Sequence, residues 1–518
     1  MGHRPRHFHL ICHRRENQHG HEEAFVQDPN AGHLRERLTF FKRYAESTNM
    51  LTEWKIFEVT MIVFLLWCIR YYWGRRRLYQ MARQRPGPLA LPLIGSAFYL
   101  MRSPKDAFDT MFKFAKQFKS PTPAWLGPML FFMVWDPKSL KVILNDTNTL
   151  GKHNFYKFVG NLIGLGLIMH EVPKWRRHRR TILPIFNRNI LKAFTDVFAR
   201  HALILADELE ERIGQRSFDI YRYCSGCVND FIYETGLGVR GQSQSSKENY
   251  ISCLDRAKNI VFLRINNIFY HSDWIFNLSS LSREYKKICE YIYTHVHMAI
   301  QQHNHTNSSN TFLQALIAAT KEDPEFTEKD LQDEINAFVI AGKDTTTLTM
   351  CYTLIMLGMH PDVQKKLYDA VIVGDEDLLD RVLRETLRIF PPAPCISRKV
   401  DADIALDSCT IPAGSSVAIA IIALHRDPEV WPEPLKFYPD RFLGERAREP
   451  YDWLPFSGGP RNCVGRQYAF MALKVIISTL VKKYEFSTEY KSVEDIKFKP
   501  NLVLEPVKGF LVSINLRK

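Results

Sequence analysis

One short loop near the end of the chain has the residue types with the clearest chemistry. It covers residues 456–465, reads FSGGPRNCVG and leads directly into a helical pattern over residues 467–481. Cys463 precedes this helix start, where unpaired N–H groups and the helix dipole favour a thiolate, and Arg461 adds a nearby positive charge. Such a thiolate acts as a nucleophile, as a metal ligand or as an inert core residue. A nucleophile needs a histidine base, and no histidine lies between Asp427 and the C-terminus, which favours the metal ligand.

A second stretch of unusual chemistry lies within a long helical pattern over residues 327–359. Its centre reads AGKDTT, and glycine and threonine are poor interior helix residues, so we expect a local distortion there. The small Ala341 and Gly342 leave room for a flat cofactor and a small gas molecule. Asp344 and Thr345 can hold a water molecule and pass protons. Taken without Cys463, this stretch is better explained by a plain core helix with a kink.

The first loop resembles a known family signature. Its Phe456, Gly459, Arg461, Cys463 and Gly465 match F-x-x-G-x-R-x-C-x-G, the haem-binding signature of the cytochromes P450, in which the cysteine thiolate is the proximal ligand of the haem iron. The AGKDTT stretch is similar to the oxygen-activation motif of the same family. The resemblance implies a mainly α fold: a helix-rich single domain with small β-sheets that binds haem b.

The resemblance also implies which residues surround the cofactor. Trp175 and Arg179 are four residues apart, share one helix face and are similar to the pair that binds a haem propionate, as is Arg398. The residues implied at the cofactor are Trp175, Arg179, Ala341, Gly342, Arg398, Phe456, Arg461, Cys463 and Gly465, with Cys463 as the metal ligand. Asp344 and Thr345 are the implied catalytic proton donors. Glu385, Arg388 and Arg441 are similar to a structural ion-pair cluster behind the haem.

Four segments are predicted along the chain. Residues 1–55 are polar and read as a disordered tail, and a translation start at Met50 would remove most of it. Residues 56–73 form a transmembrane anchor, since they are apolar and an arginine cluster follows them. Residues 74–95 form a basic, proline-rich hinge, and residues 96–518 form the haem-thiolate catalytic domain. A buried core helix is the alternative for the anchor.

Charge and cysteine usage narrow the class of protein. The formal net charge of +13 suits nucleic acid, an anionic membrane or an acidic protein as a partner, and no recognised nucleic-acid motif supports the first. The ten cysteines are scattered, mostly in apolar or helical stretches, which argues against a disulfide framework and for a reducing compartment. We therefore expect a membrane protein whose main domain lies in the cytosol.

The implied activity is that of a haem-thiolate monooxygenase of the endoplasmic reticulum membrane, single-pass and with a cytosolic catalytic domain. It would insert one oxygen atom from O2 into a lipophilic substrate: a fatty acid, a terpenoid or steroid hormone, or a xenobiotic. Electrons would come from NADPH through NADPH-cytochrome P450 reductase, with a cytochrome b-type protein as a further donor. The reductase would dock on the cations Lys174, Arg176, Arg177 and Arg180, for which a plain solvated helix face is the alternative interpretation. The alternatives are a peroxide isomerase or sensor of the same fold, and a catalytically dead membrane interaction protein.

Three features depart from the family pattern. The chain looks closest to the clan that includes fatty-acid ω-hydroxylases and many arthropod enzymes, yet Ala341 stands where many of those carry a glutamate able to esterify haem. We therefore expect no covalent link to haem. Lys343 places a cation beside the oxygen motif. The segment between His360 and Glu385 is also shorter than is usual, which predicts a missing helix or loop there.

Overall fold

The structure, a computed structural model, describes residues 30–102, 107–240, 244–303, 311–321, 323–444 and 449–517. Within these ranges the protein is mainly helical, as predicted. The helices are α1 Asn30–Ala82, α2 Ala97–Arg102, α3 Ala107–Gln117, α4 Pro137–Asn145, α5 Tyr156–Ile163, α6 Val172–Ile182, α7 Arg188–Lys192, α8 Thr195–Glu208, α9 Tyr221–Leu237, α10 Gln244–Asn266, α11 Asp273–Leu278, α12 Ser280–His303, α13 Phe312–Thr320, α14 Glu328–Met359, α15 Pro361–Ile372, α16 Asp377–Ile389, α17 Ile421–Leu424 and α18 Arg466–Lys483.

The strands are short and form small sheets at the edges of the helical body. They are β1 Thr122–Leu126, β2 Met129–Val134, β3 Phe218–Asp219, β4 Ile396–Lys399, β5 Ile404–Ala405, β6 Thr410–Ile411, β7 Ser416–Ile419, β8 Tyr484–Ser487 and β9 Leu511–Leu516. One sheet has the order β1-β2-β7-β4, a second β3-β9-β8, and β5 pairs with β6. The first sheet is antiparallel except between β2 and β7, and it places β4 beside the candidate site.

Helix α14 is the central element of the helical core. It begins with a capping box in which Thr327 and Asp330 each accept a backbone N–H from the other at 3.1 Å. The predicted distortion at residues 341–346 does not interrupt the helix, which is continuous to Met359. The threonine hydroxyls instead donate to carbonyl oxygens four residues earlier, as Thr345 does to Ala341 at 2.8 Å. These bonds satisfy the hydroxyl groups without breaking the backbone ladder.

Helix α16 contributes a buried charge cluster that matches the predicted ion pair. Glu385 and Arg388 are both fully buried, and their side chains form two parallel hydrogen bonds of 2.8 Å. Arg441 adds a third contact to Glu385 at 3.2 Å, and Arg388 also donates to the carbonyl oxygens of His425 and Pro434. The cluster ties α16 to the segment that leads into the cysteine loop.

Helix α1 begins much earlier than predicted. Residues 1–29 of the predicted tail lie outside the described residues, but residues 30–55 are helical and not irregular. The segment is rich in Leu, Arg, Glu and Lys, which favour a helix even without the apolar periodicity of a packed one. Thr52–Ala82 is long and apolar enough to span a membrane. Its apolar 18-residue stretch has a mean hydropathy of 1.5, and none of that stretch is buried. This range includes the predicted anchor.

The chain divides into two compact units, Met1–Arg76 and Arg77–Lys518. The second unit includes most of the predicted hinge, which is therefore not a free connector. The Tyr79 ring stacks on Trp125 with centroids 4.4 Å apart, and Arg85 Nε donates to the Pro121 carbonyl oxygen at 3.1 Å. Gly95 has a φ of +67°, and a Cβ there would lie 2.4 Å from the Trp125 carbonyl oxygen. Residues 77–95 are packed on β1.

The short segment before Glu385 forms a direct turn between two helices. Helix α15 ends at Ile372, and α16 begins at Asp377. Gly374 takes a φ of +79°, and the Asp375 N–H donates to the Ala370 carbonyl oxygen at 2.9 Å, which closes the end of α15. No helix separates α15 from α16 in this fully described stretch, and Val373 is left 78% exposed.

Candidate active site

One cavity of about 310 Å³ brings together nearly all the predicted site residues. It lies between α14 on one side and the cysteine loop with the start of α18 on the other, with α6 and β4 at its rim. The predicted residues that line it are Trp175, Arg179, Ala341, Gly342, Thr345, Arg398, Phe456, Arg461, Cys463 and Gly465. Asp344 does not line it.

The cysteine loop is held by its own backbone and by close packing. The Cys463 N–H donates to the Phe456 carbonyl oxygen at 2.9 Å, which closes the turn. Gly459 has a φ of +67°, and a Cβ there would lie 2.0 Å from the Leu144 carbonyl oxygen, so glycine is required. The Phe456 ring packs against Phe470 of α18, with centroids 5.7 Å apart. The sulfur is thereby presented to the cavity just before α18.

The electrostatics of Cys463 differ from the sequence expectation. The Cys463 side chain is accessible from the cavity, but its enclosure by the surrounding protein raises the pKa of the thiol above its ordinary value. The Gly465 N–H and the charges of Arg179 and Arg466 act in the opposite direction, as the loop's position predicts, but they do not fully offset burial. The protein alone therefore favours the thiol, and a bound metal cation would favour the thiolate.

A group of cations without carboxylate partners forms one rim of the cavity. Arg398 and Arg461 are 2% and 8% exposed, and Lys152 lies beside them, its backbone paired with that of Arg398. Burial and mutual repulsion hold the pKa of Lys152 well below its usual range and lower that of Arg461 to about 10. None of the three forms an ion pair with a carboxylate within the described ranges.

Arg461 shows most directly that this rim suits an anion. Its guanidinium lies 4.7 Å from the centroid of the Trp175 ring, and Nη2 donates to the His170 carbonyl oxygen. Its Nε and Nη1 are buried and have no hydrogen-bond partner in the part of the chain that the structure describes. A buried guanidinium with unused donors is costly, so a ligand with carboxylate groups fits here. The two propionates of haem have this chemistry.

Arg179 is placed differently from the other predicted cations. It lines the cavity, but Nη1 donates to the Asn462 carbonyl oxygen at 2.8 Å and Nη2 contacts the Asn462 side chain. Asn462 directly precedes Cys463, so Arg179 connects α6 to the cysteine loop. The predicted partner of Arg179, a haem propionate, would have to share it with this loop.

Helix α14 presents only part of the predicted proton relay to the cavity. Ala341, Gly342 and Thr345 line it, and the Thr345 hydroxyl donates to the Ala341 carbonyl oxygen at 2.8 Å. Asp344 points to the other side of the helix. Its Oδ2 lies 2.8 Å from Nζ of Lys258, and its Oδ1 lies 2.9 Å from Nζ of Lys343.

The lysines around Asp344 form a buried charge network. Burial opposes the ionisation of Asp344, but the charges of Lys258 and Lys343 outweigh it and lower the pKa of the carboxyl group. Lys258 also contacts Asp255 at 2.8 Å and Glu505 at 3.4 Å. Lys343, the unusual cation of the motif, is fully buried in this network and does not line the cavity.

The basic stretch of α6 offers fewer free cations than the sequence suggests. Lys174 contacts Asp330, and Arg177 contacts Asp323 and Glu325. Arg176 and Arg180 remain exposed. A docking surface on this helix would therefore depend mainly on those two.

Two charged residues that line the cavity were not predicted. Lys152 is a cation at the start of an apolar, glycine-rich segment. A charge in such a segment is the sequence feature that could have identified it as a cavity residue. Glu334 lies seven residues before Ala341 and so on the same face of α14. It lines the cavity, accepts the Leu167 N–H at 2.8 Å and lies 2.7 Å from Nδ1 of His178. Neither follows from the family signature.

Comparison with known proteins gives a consistent result. A family model described as Cytochrome P450 matches residues 85–513. Cytochrome P450 4c21 of Blattella germanica is 30% identical over 496 residues, which cover 89% of this chain and 98% of that protein. Cytochrome P450 4c3 of Drosophila melanogaster is 30% identical over 501 residues, or 88% of this chain and 93% of that protein. Cytochrome P450 4V2 of Homo sapiens is 29% identical over 476 residues, or 84% and 90%.

Proposed function

The chain belongs to the cytochrome P450 family, whose members are haem b monooxygenases. From this premise we propose that it oxidises a lipophilic substrate with electrons that a reductase delivers from NADPH. The supporting observation is that Cys463 and Thr345 line one cavity whose rim carries buried, unpaired cations. A sulfur ligand, a hydroxyl group and an anion-binding rim are the three parts that this reaction requires of the protein.

The residues present fit haem. Cys463 would hold the iron, and Arg461 would bind a propionate through its unpaired donors. Arg398 and Lys152, which have no carboxylate partner in the described ranges, would add positive charge at the same rim. Ala341 and Gly342 would lie against the distal face, because neither has a side chain large enough to fill that space. Bound in this way, haem would supply the activation of O2.

Proton handling would fall to two residues with different roles. Thr345 Oγ1 is at the cavity wall and can hold a proton or a water molecule there. Asp344 lies behind the helix, where it is ionised and held by two lysines. We propose that Thr345 is the group next to the reacting oxygen, and that Asp344 contributes only if Lys258 releases it.

The lining of the cavity supports an apolar substrate. Its side chains beyond the cofactor residues include Leu167, Ile168, Phe312, Phe338 and Ile421. Apolar and aromatic walls with few polar groups favour lipophilic ligands. A fatty acid, a terpenoid or steroid hormone and a xenobiotic all meet this requirement. Since Ala341 has no carboxylate, haem would be held without a covalent link.

The location of the reaction is inferred from the apolar N-terminal helix and the arginine cluster within it. The helix Thr52–Ala82 is of a length and hydropathy to span a membrane, and Arg75, Arg76 and Arg77 follow its most apolar part. By the positive-inside rule the catalytic unit would face the cytosol, where NADPH-cytochrome P450 reductase of the endoplasmic reticulum is available. Exposed cations such as Arg176 and Arg180 would contribute to docking, and a cytochrome b-type donor would use the same charge.

Oxygen-isotope labelling tests this function. The haem-loaded protein is combined with a P450 reductase, NADPH and 18O2, and fatty acids, terpenoids, steroids and foreign lipophiles are supplied in turn. We expect a product that contains one 18O atom and depends on NADPH. A product formed from an added peroxide without NADPH, and without 18O from O2, would contradict the proposal and favour an isomerase.

A further inference from the structure

A cluster of buried polar side chains joins α6 to the first turns of α14. His170 precedes α6, His178 lies within it, and Asp330 and Glu334 belong to α14. All four are buried, with exposed fractions of 6%, 0%, 4% and 3% respectively. The proposed monooxygenase chemistry does not use these two histidines, so their arrangement needs a separate explanation.

Glu334 fixes the tautomer of His178. The carboxylate group of Glu334 can only accept hydrogen bonds. Its Oε1 lies 2.7 Å from Nδ1 of His178, so Nδ1 carries the proton. In the neutral ring, Nε2 of His178 is then left with a free lone pair.

Both histidines have a buried nitrogen without a partner. Nε2 of His178 and Nε2 of His170 make no hydrogen bond within the described part of the chain. Nε2 of His170 is 3.6 Å from Oε1 of Glu334, which is too far for a hydrogen bond. One ring nitrogen of each histidine and one carboxylate oxygen of Asp330 all lie within 4.8 Å of one another. The three side chains are therefore close enough together for one metal ion to contact all of them.

We propose that His170, His178 and Asp330 form a site for a divalent transition-metal ion, with Zn²⁺ as the best match. Two imidazoles and a carboxylate suit zinc. They do not suit calcium or magnesium, which prefer oxygen ligands only. In metal sites, the ring nitrogen of a histidine that does not bind the metal usually donates its N–H to a carboxylate or carbonyl oxygen. The hydrogen bond from His178 to Glu334 has this form. Tetrahedral ligands about 2.1 Å from zinc lie about 3.4 Å apart. The present separations of up to 4.8 Å would therefore shrink by up to about 1.4 Å when zinc binds, and a water molecule would be the fourth ligand.

Lys174 is the natural competitor for this position. Its ammonium group contacts Oδ1 of Asp330, and its side chain is 42% exposed. The other oxygen, Oδ2, is engaged by the backbone and hydroxyl groups of Thr327 at 3.1 and 2.8 Å. Oδ1 is therefore the oxygen that would meet the metal, and Lys174 can turn into solvent when a divalent ion replaces it.

The site would act on the cofactor pocket through the backbone. The carbonyl oxygen of His170 accepts a hydrogen bond from Arg461, and Glu334 lines the cavity. A metal ion bound by His170 and by Asp330 of α14 would fix the His170 carbonyl oxygen and the Glu334 side chain relative to each other. It would lie apart from the iron ligand Cys463 and would not take part in oxygen chemistry.

Zinc titration of the full-length, haem-loaded protein tests the proposal. Bound zinc per chain is measured by elemental analysis after gel filtration, and affinity is measured by competition with a chromophoric chelator. We expect His170→Gln and His178→Gln each to bind one zinc fewer than the wild type. The histidines of residues 1–29 are the same in every variant and give a constant background. Equal zinc content in the wild type and both variants would overturn the site.

His295 provides the matched control. The residue is half-buried, and its Nε2 is a buried atom without a hydrogen-bond partner in the described residues, but it is not among the clustered metal-ligand groups found there. His295→Gln should therefore bind as much zinc as the wild type. Zinc should raise the melting temperature of the wild type and of this control, and leave that of His178→Gln unchanged. A zinc loss in the control equal to that in His178→Gln would contradict the assignment.

Two further variants keep the test decisive if a histidine variant does not fold. Lys174→Ala removes the competing ammonium group from a half-exposed position, and we expect it to bind zinc about tenfold more tightly. Glu334→Gln no longer fixes the tautomer and should bind about 10- to 100-fold more weakly. Unchanged affinity in Lys174→Ala would overturn the proposal, because Asp330 would then not be a ligand.

Discussion

At the scale of single residues, the cavity is defined by charges that the protein itself does not neutralise. Arg461, Arg398 and Lys152 are close together. Burial lowers the pKa of each, and repulsion from neighbouring cations lowers those of Lys152 and Arg461 further. Asp344 has the opposite arrangement, since two lysines surround it. The first group is ready to bind an anion, whereas Asp344 is already fully paired. Substitutions at the two places should therefore have different effects.

Arg461→Met should separate cofactor binding from stability. Removing an unpaired, buried guanidinium relieves repulsion and desolvation, so we expect the haem-free protein to gain about 1–3 kcal/mol in the free energy of unfolding. The same change should weaken haem retention, measured by transfer to apomyoglobin. The exposed Arg180→Met is the control and should change neither quantity. Lower stability together with unchanged haem retention would contradict the role of Arg461.

Asp344→Asn should mainly lower stability, whereas Thr345→Ala should mainly change the reaction. Asparagine leaves Lys258 and Lys343 buried with less compensation, and breaking a buried ion pair costs about 3–5 kcal/mol, so unfolding should become easier. Thr345→Ala removes a hydroxyl that meets only a carbonyl oxygen and the cavity. We expect it to keep its stability and to consume O2 and NADPH without equivalent product. Oxygen and NADPH consumption, product yield and denaturant unfolding measure these effects.

The double variant Asp344→Asn, Lys258→Met is the control for that comparison. It removes one buried cation together with the carboxylate charge, so part of the lost stability should return. If Asp344→Asn instead unfolds like the wild type and only lowers product yield, Asp344 serves proton delivery and not the charge network.

His425 should make the stability of the protein depend on pH. It is fully buried, its Nε2 accepts the Leu454 N–H at 2.8 Å, and burial with the nearby Arg388 lowers its pKa to about 3. Below pH 6.5 the unfolded chain takes up a proton at this site that the folded protein does not, so folding is weakened as pH falls. The loss should be about 2 kcal/mol at pH 5.

Denaturant unfolding between pH 7.5 and pH 5 measures this effect. His425→Gln should lose about 2 kcal/mol of the pH-dependent change. A slope that is identical in the wild type and His425→Gln would show that this histidine is not held neutral.

At the scale of elements, helix starts and the cysteine loop were well specified by local sequence. The capping pair Thr327 and Asp330 marks the start of α14, and the glycine-rich turn before α18 requires the positive φ of Gly459. The AGKDTT stretch was misjudged, because a threonine hydroxyl can bond back along a helix without bending it. Helix propensity alone does not decide whether this stretch is distorted or regular. Tertiary packing of α14 against α9 and α16 decides it.

The direction of a side chain was the part that local sequence could not give. Asp344 belongs to the motif, yet its orientation depends on Lys258 in α10, far away in the chain. Lys152 reaches the cavity through its pairing with Arg398 of β4. Contacts of this kind depend on the packed fold, so a motif identifies the helix that carries a site before it identifies each residue's role.

The charge cluster of α16 gives a prediction at this scale. Glu385→Gln leaves Arg388 fully buried with a weaker partner, and removal of one member of a buried pair costs about 3–5 kcal/mol. We expect a lower melting temperature and loss of haem from the folded fraction. Glu376→Gln is the matched control, because Glu376 is 72% exposed and lies 3.5 Å from Lys474. Such a surface pair contributes about 1 kcal/mol at most. Equal effects of the two changes would contradict a structural role for the cluster.

At the scale of the whole molecule, the chain consists of a helical N-terminal unit and a catalytic unit. The catalytic unit begins at Arg77, earlier than the predicted boundary at residue 96, because residues 77–95 pack on β1. Composition predicted the anchor but not this docking, which depends on the approach of Gly95 to the Trp125 backbone. The two units therefore have separable roles.

Removal of residues 1–76 tests that separation. The remaining unit keeps its own core and the packed segment 77–95, so we expect it to fold and bind haem. It should also lose most of its partition into lipid vesicles, measured by flotation. Removal of residues 1–29 alone is the control and should leave vesicle binding intact. Full vesicle binding by the shorter protein would contradict an anchor in Thr52–Ala82.

The most direct test of the proposed site is the absorption spectrum of the reduced, carbon-monoxide-bound protein. Thiolate ligation by Cys463 predicts a strongly red-shifted Soret band in the wild type. Cys463→Ala should lose it, while Cys395→Ala should keep it because Cys395 does not line the cavity. A folded, haem-loaded wild type without that band, or a Cys463→Ala variant that retains it, would contradict the assignment of Cys463 as the iron ligand.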